Sequence, residues 1–92
     1  MVERLSDEDV ADGVGRLEWD RDGDELVKVV TRKDFGDAMA FVNSVAMLAE
    51  GANHHPDIAI SWNRVTLRLS THSAGGLTRL DLDLAAAIDG VT

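Results

Sequence analysis

Two of the chain's three histidines are adjacent: His54 and His55 lie in the stretch Asn-His-His-Pro-Asp. The third, His72, follows in Ser-Thr-His-Ser beyond an apolar run. Imidazole has an ordinary pKa of about 6.5, so it gives and takes protons near neutrality. Glu50 precedes His54 by one helical turn, and Asp57 and Asp81 are close in sequence to the same segments. Such a cluster suits moving protons on and off a neutral organic molecule. Pro56 restricts His55 to extended backbone conformations, which holds the pair in one geometry. Gly75 and Gly76, just after His72, let the chain turn tightly or approach a ligand closely.

Each of these residues also has a plainer reading. A histidine pair in a polar loop is commonly a solvent-exposed feature without function. Glu50 at the end of a helix opposes the macrodipole, so it is either solvated or kept for a reason. Asp81 fits the third position of a helix, where a carboxylate caps backbone N–H groups. Trp62 at a strand end suits a core or an interface. Three histidines can hold a catalytic zinc with one position open. Neighbours on an extended segment point to opposite sides, however, and neither HxH nor HExxH spacing occurs. The expectation is therefore no metal. No serine lies in a nucleophile-elbow motif.

If these groups are to meet, the elements between them must bring them together. Ser6 can cap a short, acidic-ended helix that runs out at Gly13 and Gly15. Leu17–Trp19 and Leu26–Thr31 flank the polar cluster DRDGDE and read as a hairpin with an Asp-Gly turn. Asp34 caps the strongest helix, with Asp37 as a weak capping-box partner. Its apolar positions, from Phe35 through Phe41 and Val45 to Ala49, follow helical spacing, and Gly51 marks its end. From Ile58 the period becomes two: Ile58, Ile60 and Trp62, then Val65, Leu67 and Leu69, form a second hairpin around Asn63-Arg64. Thr78 opens a last helix with Asp81 at its third position, and Gly90 stops it. The order α-ββ-α-ββ-α predicts an α+β fold, a four-stranded antiparallel sheet with three helices packed on one face. The start of the third strand then adjoins the end of the fourth. His54, His55 and His72 converge there, within reach of Glu50.

Bulk properties narrow the partners. With 92 residues, the chain reads as a single domain over 1–92. A formal charge of −8 argues against nucleic acid and against an anionic membrane surface. No apolar run approaches the roughly 20 residues that span a bilayer. The acidic start lacks the features of an export signal, which favours the cytoplasm. A cysteine-free chain of this size gains stability by burying apolar surface against a copy of itself, so a homodimer or homotetramer is expected.

The chain resembles a known family from about Gly15 to Ile88. The resemblance is carried by Lys33-Asp34-Phe35, Phe41-Val42, Ala49-Glu50, His54-His55-Pro56-Asp57 and Trp62-Asn63-Arg64-Val65. It continues through Leu69-Ser70-Thr71-His72, Gly76-Leu77-Thr78, Asp81 and Leu84-Ala85. Glu-x-x-x-His-His-Pro followed by Thr-His and Gly-Leu-Thr-x-x-Asp resembles the pterin-4a-carbinolamine dehydratases, or 4a-hydroxytetrahydrobiopterin dehydratases. The resemblance implies the same α+β fold. It also implies dehydration of a 4a-hydroxytetrahydropterin to the quinonoid dihydropterin, supporting tetrahydrobiopterin recycling without metal or organic cofactor.

The family's active-site histidines fall on His54, His55 and His72, its glutamate on Glu50, and a nearby aspartate on Asp81. On this reading His54 and His72 share the acid and base roles, His55 fixes the pterin, and Glu50 orients an imidazole. Substrate contacts are expected from His55, Pro56, Asp57, Trp62, Thr71 and Asp81. One departure is that the family's tryptophan, early in the first strand, aligns with Leu17, and Trp19 stands two residues along. Relatives also serve as protein-interaction partners, including assembly chaperones, and some of them have lost the histidines. The alternative function is therefore a non-catalytic interaction or assembly module of the same fold.

Overall fold

The computed structural model describes residues 2–92. Helix α1 spans Asp7–Val14, with Ser6 Oγ accepting from the Asp9 N–H and acids filling its first turn. Strands β1 (Asp20–Asp22) and β2 (Glu25–Thr31) form the first hairpin. Helix α2 (Phe35–Ala52) follows, then the second hairpin, β3 (Asp57–Ser61) and β4 (Arg64–Leu69). A 3-10 turn at His72–Ala74 leads to α3 (Arg79–Asp89). The four strands form one antiparallel sheet in the order β1-β2-β4-β3. The predicted class and element order hold.

Three boundaries differ from expectation. The first strand lies at Asp20–Asp22, not Leu17–Trp19. Gly23, at φ +62°, makes the turn with Asp24, and the pair Asp22↔Glu25 then fixes the register. Trp19 falls outside the ladder and turns into the core, where it is 5% exposed. The second hairpin turns at Trp62-Asn63, because Arg64 already pairs with Ser61. Trp62 takes a left-handed φ of 55° there. Helix α2 likewise runs past Gly51 and stops at Asn53, whose left-handed backbone (φ 50°) caps it.

One face of the sheet is dry. Leu26, Lys28 and Val30 on β2 and Val65, Leu67 and Leu69 on β4 are all buried, in strict alternation with more exposed neighbours. The core continues into Phe41, Val45 and Ala49 of α2 and Leu84, Ala85 and Ile88 of α3. Each buried Val, Leu, Ile or Phe among them contributes roughly 1.5–3 kcal/mol of burial. Gly13 sits tightly against α3: a Cβ there would stand 2.6 Å from Leu82 Cδ1, so any larger residue requires that side chain to move.

Lys28 is a charge on the dry face. Its Nζ reaches Asp89 Oδ1 at 2.9 Å and the Glu18 carbonyl at 3.1 Å, and it stands 6.0 Å from the centre of the Trp19 ring. Trp19 Nε1 donates to the same Asp89 oxygen at 2.8 Å, and the Glu18 N–H donates to the other at 3.0 Å. Burial acts to raise the Asp89 pKa, but the Glu18, Lys28 and Trp19 donors together outweigh it and hold the carboxyl below its ordinary value. This network ties the last turn of α3 to the first hairpin.

Candidate active site

The left-handed turn at Asn53 reverses the chain, and the His54 N–H closes it on the Ala49 carbonyl at 3.1 Å. The His54 side chain is thereby directed inward, 10% exposed, with Nε2 2.6 Å from Asp81 Oδ1. Asp81 is fully buried in the first turn of α3. Its Oδ2 accepts from Thr71 Oγ1 at 2.7 Å and from the Thr78 N–H at 2.9 Å. The Thr78 hydroxyl accepts from the Leu80 N–H and lies 2.8 Å from Thr71 Oγ1. Among the described residues no buried side-chain nitrogen or oxygen lacks a partner. With Asp81 accepting at both oxygens, His54 Nε2 is the donor in that bond. Its Nδ1 is then the ring nitrogen available to exchange a proton with a ligand.

His55 turns the other way, as alternation predicts. Its Nε2 lies 2.5 Å from Glu50 Oε2, and both side chains are more than half exposed. A charge pair in water contributes at most about 1 kcal/mol, so this contact orients the ring more than it stabilises the fold. His72 stands exposed at the head of its 3-10 turn. The loop that carries it is closed by the Thr71↔Gly76 bridge and by Gly75 at φ +72°.

Together these segments enclose an open cleft of about 370 Å³ lined by Asn53, His54, His55, Ser70, Thr71, His72, Ser73 and Leu80. All three imidazoles border it, and Glu50 reaches it through His55. Pro56 and Asp57 lead from its rim into β3. Thr71 forms part of the wall, but its hydroxyl is engaged with Asp81 and Thr78. Trp62 is not in this cleft: it sits at the far end of the β3–β4 hairpin, stacked on Phe35 with centroids 6.5 Å apart. Trp19, bonded to Asp89, is at the opposite end of α3 from Asp81. Asn53, Ser70, Ser73 and Leu80 were not singled out from sequence, since nothing in their types marks them. Thr78 was legible as a cap, though its link to Thr71 was not.

A second cleft, of about 400 Å³, lies between α1 and α3, with Asp9, Asp12, Arg16, Arg79 and Asp83 above Leu17 and Leu82. It contains no imidazole, so the histidine cleft is the better equipped for proton transfer. No three His, Cys, Asp or Glu side chains among the described residues are grouped to hold a metal ion. None of their helices is long and apolar enough to cross a membrane.

Three imidazoles border one open cleft, one of them backed by a buried carboxylate, an arrangement chemically suited to acid–base work. The chain belongs to the pterin 4 alpha carbinolamine dehydratase family, whose model matches residues 3–91. A protein of Roseiflexus sp. (strain RS-1), provisionally named a pterin-4-alpha-carbinolamine dehydratase, is 51% identical over 99% of both chains. One of Nocardia farcinica with the same provisional name is 53% identical over 96% of this chain and 94% of its own. Among solved structures, a transcriptional coactivator/pterin dehydratase from Brucella melitensis superposes with a TM-score of 0.92. It is 29% identical and covers 97% of this chain and 98% of its own. A pterin dehydratase-like RuBisCO assembly factor of the alpha-carboxysome shares the fold at a TM-score of 0.65 and 21% identity, over 82% of this chain and 87% of its own.

Proposed function

We propose that the protein dehydrates a 4a-hydroxytetrahydropterin to the quinonoid dihydropterin. The C4a–O bond breaks as its oxygen takes a proton and leaves as water, while N5 gives up a proton. The observation that carries this reading is the convergence of His54, His55 and His72 on one cleft, with His54 held by the buried Asp81. A carboxylate at Nε2–H stabilises the imidazolium that forms when Nδ1 accepts a proton. That favours His54 as the base toward N5. His72, exposed and without a carboxylate partner among the described residues, is assigned the acid role toward the hydroxyl. His55, oriented by Glu50, is assigned to binding the pterin.

The test is a dehydration assay with the 4a-hydroxytetrahydropterin generated in place. Acceleration over the spontaneous reaction, surviving exhaustive chelation, is expected. No acceleration by the folded chain would overturn the reading and favour an interaction module.

A further inference from the structure

Gly75 and Gly76 follow His72, and only the first needs glycine for its backbone. Gly75 has φ +72° and open space where a Cβ would stand. Gly76 lies outside the left-handed region and is buried. A Cβ there would stand 2.6 Å from Arg4 Nε and 3.1 Å from its Cδ and Cζ. Gly76 thus admits the side chain of Arg4, from the segment ahead of α1.

That segment is anchored on both sides of Gly76. Arg4 Nη2 donates to Asp24 Oδ1 at 2.8 Å, and the Leu5 N–H donates to the Leu77 carbonyl at 2.8 Å. Asp24 belongs to the turn of the first hairpin, and the pair Leu26↔Leu69 sets this turn at the end where β4 runs out toward His72. Gly76 is in turn half of the base of the His72 loop. Its carbonyl accepts from the Thr71 N–H at 3.0 Å, and its N–H donates to the Thr71 carbonyl at 3.4 Å. The imidazole of His72 is exposed, so its position depends on that base more than on packing around the ring.

We propose that Arg4, held by Asp24, is a strap that positions His72: it clamps Gly76 and so fixes the bridge to Thr71 from which His72 projects. Neither Arg4 nor Asp24 lines the cleft, so both are positioning residues. The two side chains are 51% and 52% exposed, and an ion pair so placed adds little to global stability. Its effect is local. A catalytic group displaced by a fraction of an ångström loses rate out of proportion to the energy of the contact that held it. The effect on turnover rests on the dehydratase reading, whereas the strap itself does not.

The test compares the wild type with Arg4→Ala and Asp24→Ala by two measurements. Amide hydrogen exchange reads the bridge: the Thr71 N–H should exchange about 10-fold faster in both variants, while Leu67, within β4, keeps its protection. The dehydration assay reads the ring. In both variants kcat should fall roughly 10-fold, less than for a lost general acid, with KM nearly unchanged. Arg4→Lys keeps the stem and the charge and should recover most of that loss. Gly76→Ala, whose methyl displaces the Arg4 side chain, should lower kcat alone and add nothing to Arg4→Ala.

Unchanged exchange at Thr71 in Arg4→Ala would overturn the strap and spare the dehydratase reading. Equal acceleration at Leu67 would also overturn it, since the pair would then serve the whole fold. Faster exchange at Thr71 alone, with wild-type kcat, would overturn the positioning of His72. A folded wild type without dehydratase activity would overturn that reading instead, and the exchange rate of Thr71 would then decide the strap by itself.

Discussion

Asp81 serves two structures with its two oxygens: Oδ2 closes the capping box of α3, and Oδ1 holds His54. Its loss should therefore appear in both stability and turnover, and Asp81→Asn alone does not separate them. Thr71→Val separates them better, because it removes one donor to Asp81 and leaves every imidazole in place. Thermal or urea denaturation should show a loss of about 1–3 kcal/mol, the usual cost of stranding a buried polar partner. His54→Ala and His72→Ala should each lower turnover by roughly 10² or more in folded protein, His54→Ala at a cost in stability because Asp81 Oδ1 loses its donor, whereas His55→Ala should raise KM more than it lowers kcat. Near-wild-type turnover in either of the first two, measured on folded protein, would remove that residue from the proton transfers. The meeting of the histidines was legible in the sequence because hairpin connectivity alone puts residues 54 and 72 at one end of the sheet. The Asp81–His54 bond was not, since it depends on how α3 docks.

At the scale of elements, caps were legible and turns were less so. Ser6, Asp34 and Thr78 announce their helices through side chains that bond the backbone, and each does so in the structure. At Asp34 the cap is reinforced: the Arg32 guanidinium, aided by the Lys33 N–H, holds Asp37 below its ordinary pKa. The end of α2 was misplaced by two residues because Gly51 is the more familiar stop, while Asn53 does the work through its left-handed backbone. Asn is among the residues that tolerate this conformation, and Gly adopts it freely. Asn53→Gly should keep full thermal stability. Asn53→Ala should lose about 1 kcal/mol and disturb His54, the next residue, so its turnover should fall as well. The first strand was misplaced for a different reason. Trp19 carries the strongest strand propensity in its segment, but burying its ring and bonding its Nε1 to Asp89 outweighs that preference.

At the scale of the molecule, the Lys28–Asp89 pair contributes, with Asp37, to how the chain responds to acid. The folded-state pKa of Asp89 lies below its ordinary value. Its contribution is therefore fully present above the unfolded carboxylate range and is lost as pH falls through the folded value. Denaturation midpoints should hold from neutrality to about pH 4 and drop below it. Asp89→Ala should weaken that acid dependence. It should also lower stability at neutral pH, by less than the roughly 3–5 kcal/mol of a fully unpaired buried charge. The Lys28 ammonium would keep only the exposed Glu18 carboxylate, 3.7 Å away, as a charge partner. Equal midpoints for the two proteins at pH 7 would show that Glu18 alone suffices to hold the Lys28 charge.

The residues around the histidine cleft all fall between Glu50 and Asp81, a single uninterrupted stretch of chain. The preceding half, with α1, β1, β2 and most of α2, contributes no residue to the lining of that cleft. The residues assigned to the chemistry thus fall in one block, which also carries part of the core, and the two blocks should tolerate change differently. In a saturation scan, harmful substitutions before residue 50, the Arg4–Asp24 strap excepted, should act through the amount of folded protein and be rescued by lower temperature. Within the cleft-forming block, those at exposed imidazoles should lower the rate per folded molecule and resist such rescue. Outside that strap, the first block is then free to drift, or to acquire new surfaces, without disturbing the proton transfers assigned to the second.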